Sequence, residues 1–222
     1  MSTPKRSKTI QPPQLPKNLN SSLLPAGKIE DYGEYINLRI TGEHWANQSA
    51  EQIILKGVWF KQVLMEQMHL LDPKMSDLRC ENCDLANATW ERAILHRVEI
   101  LGCRMTGFKA VEAYLQDVRF QDCLGAFAQF RFAAFKSVHF EQCNLVNADF
   151  QGSNLSYVRF ANCDLTNAEM SHTTLVGTDF RGSKIDNLKV GARELPGAIV
   201  DHFQAAYLAS LLGIVIKDEH EE

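Results

Sequence analysis

The sequence predicts an all-β solenoid, a four-sided parallel β-helix of about seven coils closed by a C-terminal capping α-helix. Three observations predict it. From Leu55 to Ile185 every fifth residue is large and apolar in 24 of 27 cases, the exceptions being Cys80, Ala110 and Gly125. Two residues before each lies a second column, small or β-branched in most units. That second column repeats again every twenty residues: Cys83, Cys103, Cys123, Cys143 and Cys163 form one line, and Val58, Val98, Val118, Val138 and Val158 another.

A period of five belongs to neither an α-helix at 3.6 nor a flat strand at 2, so the chain must turn a corner at each unit. A large residue with a small one two positions earlier puts two side chains inward on one short extended segment. Four five-residue units complete a coil, because Ala88, Ala128, Ala148 and Ala168 make a third line while Ala93, Ala113 and Ala133 belong to a fourth. Stacked at about 4.8 Å, just under seven coils give a rod of roughly 32 Å. Corners need residues that tolerate positive φ, and Gly57, Gly102, Gly107, Asn82, Asn87 and Asn147 stand two after the central position, where a type II turn requires them.

Residues 1–28 carry Lys5, Arg6, Lys8 and Lys17 among Pro4, Pro12, Pro13 and Pro16 and read as a disordered basic tail. They hold no apolar run fit for export or membrane insertion, so a cytoplasmic location is expected. Residues 29–52 read as an irregular first coil and cap: Leu38, Ile40 and Trp45 keep the register, but Glu43 and Gln48 occupy inward positions. The regular helix is expected over 53–190. Within it Pro73 occupies an inward position, and Phe108 adds bulk where Ala110 removes it, nearly conserving core volume. Residues 191–216 form the C-terminal cap, with Asp201 and Gln204 as a capping box and Phe203, Tyr207, Leu208, Leu211 and Leu212 as the apolar face of a helix ended by Gly213. Ile214, Val215 and Ile216 are expected to return as a short strand ahead of the acidic tail 217–222.

Cys83-Asp84-Leu85, Cys143-Asn144-Leu145, Ala148-Asp149-Phe150, Ser153-Asn154-Leu155 and Cys163-Asp164-Leu165 resemble the Ala-(Asp/Asn)-Leu-x-x consensus of the pentapeptide-repeat family. The resemblance implies a right-handed quadrilateral β-helix of pentapeptide repeats. It leaves function open, since members range from DNA-mimicking protectors of DNA gyrase to regulators. Gyrase-binding members also suggest a dimer formed through the C-terminal cap.

No catalytic, metal or cofactor site is expected. In-register side chains one coil apart keep Cβ atoms about 4.8 Å apart, outside disulfide range, so the cysteines form a structural ladder of buried thiols. Zinc needs ligands that converge on a point, and no histidine shares the column. The seven histidines do not recur at twenty residues, and no phosphate-binding loop, nucleophile elbow or dinucleotide-binding pattern appears.

A protein partner is therefore expected, with the rod a scaffold or regulator. The alternative is a DNA mimic that binds DNA gyrase. Residues 53–190 hold 16 Asp and Glu against 15 Lys and Arg, too mixed to imitate a phosphate backbone or to bind nucleic acid directly. The candidate partner-binding residues are Tyr114, Phe132, Val111, Leu124 and Phe127. Register places Phe127 and Phe132 on successive corners, with Tyr114 one rung below Phe132 and Val111 and Leu124 nearby. Gly125, however, leaves a gap in the core beside them. A distorted corner is expected to turn Phe127 inward to fill it, with Phe132 and Tyr114 staying on the surface.

Overall fold

A computed structural model describes residues 9–21 and 28–217. It is a parallel β-solenoid of about seven turns with one short C-terminal helix. Five strands of eight residues, Ile54–Lys61, Lys74–Glu81, Ile94–Leu101, Tyr114–Gln121 and Ala134–Glu141, pair in parallel with a shift of twenty. The remaining walls are held by short strands and single bridges with the same shift, such as Leu124↔Asn144 and Gln129↔Asp149.

Four walls result. Leu55, Met75, Leu95, Leu115 and Phe135 line the first; Phe60, Phe120, Phe140, Phe160 and Phe180 the second; Met65, Leu85, Met105 and Leu145 the third; Leu70, Trp90, Phe130 and Phe150 the fourth. All of these side chains are buried in one continuous core. On the second wall Phe120 and Phe140 stack with centroids 4.6 Å apart, and Phe140 and Phe160 with 5.1 Å. These spacings match the coil rise, so each ring packs on its own kind without leaving its rotamer. Phe108 fills the space left by Ala110, standing edge-on to Trp90 at 5.1 Å.

Every corner from 32 to 187 that ends in 2 or 7 has positive φ, whichever residue it holds; Arg92 at 50°, Asp117 at 54° and Phe132 at 57° do so as readily as Gly57 at 64°. Left-handed conformation is costly for a single non-glycine residue. Here the hydrogen bonds to neighbouring coils and the buried central residues impose it. Glycine is required only where something lies close against the corner: a Cβ on Gly152 would stand 2.5 Å from the Phe132 ring.

The corner between the third and fourth walls closes on coil after coil with a turn bond from the small residue to the carbonyl three earlier, as from Ala148 to Leu145 at 3.0 Å, and the two corners that bound the first wall do so on some coils, as from Ser153 to Phe150 at 3.0 Å. Among the described residues that bond is missing along most of the cysteine corner. There the ladder replaces it: the Cys83 amide donates to the Cys103 Sγ at 3.4 Å, and each thiol donates to a carbonyl one coil below, Cys123 to Ile100 at 3.3 Å and Cys143 to Phe120 at 3.5 Å. Ser183 continues the line, accepting from the Cys163 amide at 3.0 Å. All six cysteines are free and buried.

Both ends depart from expectation. Residues 29–52 build a regular coil, with strands Glu34–Ile36, Leu38–Thr41 and Ser49–Glu51 in full register. The inward polar groups serve as its cap, the Gln48 side chain accepting the Ile29 amide at 2.8 Å and Glu43 accepting from the buried Trp45 indole at 2.9 Å. Residues 9–21, read from sequence as part of a disordered tail, lie along the rod. Ile10 is buried, and Asn20–Ser21 pairs with Leu38 and Arg39. Residues 1–8 and 22–27, in the same expected tail, and 218–222 of the acidic tail lie outside the described residues.

At the other end the helix His202–Leu211 has the expected capping box of Asp201 and Gln204. Its buried residues are Gln204 and Leu208, whereas Phe203, Leu211 and Leu212 face outward. The expected apolar face is corrected by the open end of the last coil, whose carbonyls need a donor. Gln204 Nε2 gives hydrogen bonds of 2.7 Å to the Phe180 and Ser183 carbonyls. Ile214, Val215 and Ile216 form no strand and are exposed.

Candidate protein-binding surfaces

Fivefold register delivers the candidate residues to the rod's outside. Tyr114 is 39% exposed, Phe132 55%, Phe127 56% and Leu124 57%; Val111 is half-buried. Phe127 and Phe132 sit on the two corners that bound the fourth wall, both at positive φ. Tyr114 and Val111 flank the Phe132 corner from below, and Leu124 lies on the third wall beside Phe127. The five thus form a band around one level of the rod, centred on the fourth wall, rather than one flat patch.

The inward turn expected of Phe127 does not occur. The gap beside Gly125 is taken by Leu145 of the next coil, whose Cδ2 is 3.2 Å from where a Cβ at Gly125 would stand. A branched side chain one rung away reaches the space without distorting the corner, so Phe127 stays outside. Phe132 is held in place by two neighbours, its ring lying on Gly152 and the Arg131 guanidinium standing 5.5 Å from its centroid. Tyr157 repeats the arrangement over Gly177.

Charge on the rod's surface is paired from coil to coil. Arg79 binds Glu99 at 2.7 Å, Arg92 binds Asp72 at 2.7 Å and Arg97 binds Asp77 at 2.6 Å; Arg104 with Asp84, Lys61 with Glu81 and Lys184 with Asp164 complete a set whose partners are all twenty residues apart. Exposed pairs of this kind contribute little stability each. Their effect on the surface is larger, because they neutralise carboxylates where they stand.

The second surface was not legible beforehand. Residues 9–21 form a strap over the corner between the first and second walls, the column of Gly57, Asp77, Arg97 and Asp117. The Gln11 amide donates to Asp117 at 3.3 Å and the Gln14 amide to Asp77 at 2.9 Å. Both carboxylates are only 6% exposed. Burial alone would raise Asp77, but hydrogen bonds from Arg97 and from Gln14 outweigh it and hold the carboxyl below its ordinary range. Beside the strap a groove of about 350 Å³ is lined by Pro16, Asn18, Arg39, Trp59 and Arg79, with the Arg39 guanidinium 4.6 Å from the Trp59 centroid.

The thiols of the cysteine ladder are buried and donate to carbonyls one coil below. Hydrogen bonding to the neighbouring thiol, together with burial, pushes Cys143 up to about 12, and raises Cys103 and Cys163 further. Hydrogen bonds from Cys103 and Cys80 pull Cys83 the other way, so ionisation would begin at that end of the column. Among the described residues no three His, Cys, Asp or Glu groups stand together as metal ligands. No helix among them is long and apolar enough to cross a membrane.

Comparison with known proteins returns repeat families. Residues 143–182 match the model for pentapeptide repeats (8 copies), and residues 74–141 match the pentapeptide repeat region. The uncharacterized protein YisX of Bacillus subtilis (strain 168) is 28% identical over 131 residues, covering 57% of this chain and 59% of that protein. The match thus spans well under two thirds of the relative. Among solved structures, QnrB1, a plasmid-mediated fluoroquinolone resistance protein, aligns at 16% identity and a TM-score of 0.42 over 83% of this chain and 100% of that one. HetL of Nostoc sp. strain PCC 7120, a pentapeptide repeat protein involved in heterocyst differentiation regulation, aligns at 16% identity and a TM-score of 0.30 over 79% and 92%.

Proposed function

Because the chain belongs to the pentapeptide-repeat family, we propose that it works as a non-catalytic protein-binding rod, a scaffold or regulator that docks a protein partner across its fourth wall. The observation that carries this reading is the pair Phe127 and Phe132, more than half exposed on both corners of one wall. Large aromatics are enriched at the centres of interfaces, and solvent gives no reason to hold two on rigid corners. A rigid β surface also loses little conformational freedom when a partner settles on it.

The gyrase-directed DNA mimic has no comparable support here, since carboxylates such as Asp72, Asp77, Asp84 and Glu99 are matched by cations one coil away. Self-association through the C-terminal cap fits the same reading. Phe203 at 77% exposure and the run Leu211, Leu212, Ile214, Val215 and Ile216 leave an apolar end that a second copy would cover.

The test is affinity capture with Phe127→Ser/Phe132→Ser beside the unaltered protein. The double variant should keep its melting temperature within about 2 °C and lose the specifically captured partner. Loss of fold, or full retention of the partner, would overturn the docking site. Sedimentation of Ile214→Asp/Ile216→Asp tests the dimer, which that change should dissociate.

A further inference from the structure

The strap meets its corner with a particular register. Gln11 and Gln14 are the residues whose amides reach the ridge, and Pro12 and Pro13 between them have no N–H to offer. A polyproline II segment repeats every three residues and rises about 3.1 Å per residue, so amides three apart face the same way about 9.3 Å from each other. Their acceptors, Asp117 and Asp77, are forty residues apart, which is two coils or about 9.6 Å at the strand spacing. The two periods agree within a few tenths of an ångström by these estimates.

The ridge between the acceptors is prepared for such a segment. Arg97 on the intermediate coil is drawn onto Asp77 by two hydrogen bonds of 2.6 Å. Gly57 lets Pro16 approach, its Cδ standing 3.4 Å from the place of a Cβ. Recognition runs through backbone amides, so the ridge reads the spacing of N–H groups and prolines more than side chains. Between the buried Ile10 and the paired Asn20–Ser21, the strap leaves Gln11, Pro12, Gln14 and Lys17 exposed.

We propose that the corner ridge of Asp77, Arg97 and Asp117 is a docking track for polyproline II peptides of the pattern Xaa-Pro-Pro-Xaa, occupied here by the chain's own residues 11–16 and open to a proline-rich segment of a partner protein when the strap lifts. The track lies on a different corner from Phe127 and Phe132, so either site stands or falls without the other. Because the resident strap is tethered, a competitor in trans works against a millimolar effective concentration.

The experiment uses the full chain with Thr9→Cys, labelled with an environment-sensitive fluorophore; the six native thiols are buried. A synthetic peptide of residues 9–21 should shift the emission saturably, with a midpoint of about a millimolar. Replacing the two adjacent prolines of that peptide by glycine should weaken it about tenfold or more. Asp77→Ala/Asp117→Ala should give the displaced emission with no peptide added. In a second arm, full-length Pro12→Gly/Pro13→Gly should bind the fluorescein-tagged peptide about tenfold more tightly than the unaltered chain, since its own strap competes poorly. An emission indifferent to peptide and to both aspartate changes, with melting unchanged, overturns the proposal. So does equal binding of tagged peptide to the two full-length chains.

Discussion

Replacing Cys143 separates packing from hydrogen bonding in the ladder. Its side chain is 2% exposed and its Sγ donates to the Phe120 and Glu141 carbonyls at 3.5 and 3.3 Å. It also stands where the Cys123 amide, which has no turn bond, finds an acceptor. Cys143→Ala removes about one methyl-sized volume, costing roughly 1 kcal/mol, and strips a buried amide of a weak acceptor, costing about 1 kcal/mol more. A total near 2 kcal/mol should lower the melting temperature by about 4–8 °C in a chain of this size. Cys143→Ser keeps donor and acceptor in place, as Ser153 and Ser183 already do in the same role, with bonds of 2.5 and 3.1 Å to carbonyls one coil below. The serine variant should therefore lose about half as much or less. Melting followed by circular dichroism decides it. Equal losses for alanine and serine would refute the hydrogen-bonding role and leave the column as packing alone.

Other changes bear on the ends, the corners and the ridge. Gln204→Ala deprives two carbonyls of the last coil of their donor and should cost about 1–3 kcal/mol, seen as early loss of helix protection in hydrogen exchange. Gly152→Ala should destabilise more than Gly42→Ala, although both have positive φ, because Phe132 lies 2.5 Å from the new Cβ at 152 and nothing lies within 4 Å at 42; equal melting shifts would remove the ring contact from the account. Asp77 has its folded-state pKa depressed, so its contribution is present above the ordinary carboxylate value of about 3.9 and is lost as pH falls through the lower folded value. Asp77→Asn should accordingly melt lower at pH 7 and show a flatter fall in stability below about pH 4, measured by melting across pH.

How far the sequence could be read depended on whether a residue belonged to a repeating column. Phe60, Phe120 and Phe140 announced the second wall because an in-register stack needs the same shape on each coil. Corners at positions ending in 2 or 7 followed from the glycines and asparagines among them, although Arg92 and Phe132 adopt the same conformation with no such signal. The strap escaped because prolines among polar residues look like unfolded chain. Pro12 and Pro13 acquire meaning only against Asp77 and Asp117, distant acceptors that face them after the coils are wound. The inward Gln204 escaped for a related reason: helical periodicity sorts residues by polarity, whereas the end of a β-helix demands a polar group inside. Phe127 was misplaced because a gap at Gly125 was assigned to its neighbour in sequence, when the neighbour in space, Leu145, was closer.

The strap also gives the rod a measure of its own length. Adding or removing twenty residues would leave every wall aligned, and such a change is the natural unit by which a solenoid grows or shrinks. Residues 11 and 14, however, are fixed to corners two coils apart. Excising the coil between Asp77 and Asp117 would bring those anchors to about 4.8 Å while the extended segment still spans about 9.3 Å. One end would have to let go. A length change that the walls cannot detect is thus recorded at a single ridge, where the tied segment acts as a gauge of how many turns separate its two anchors.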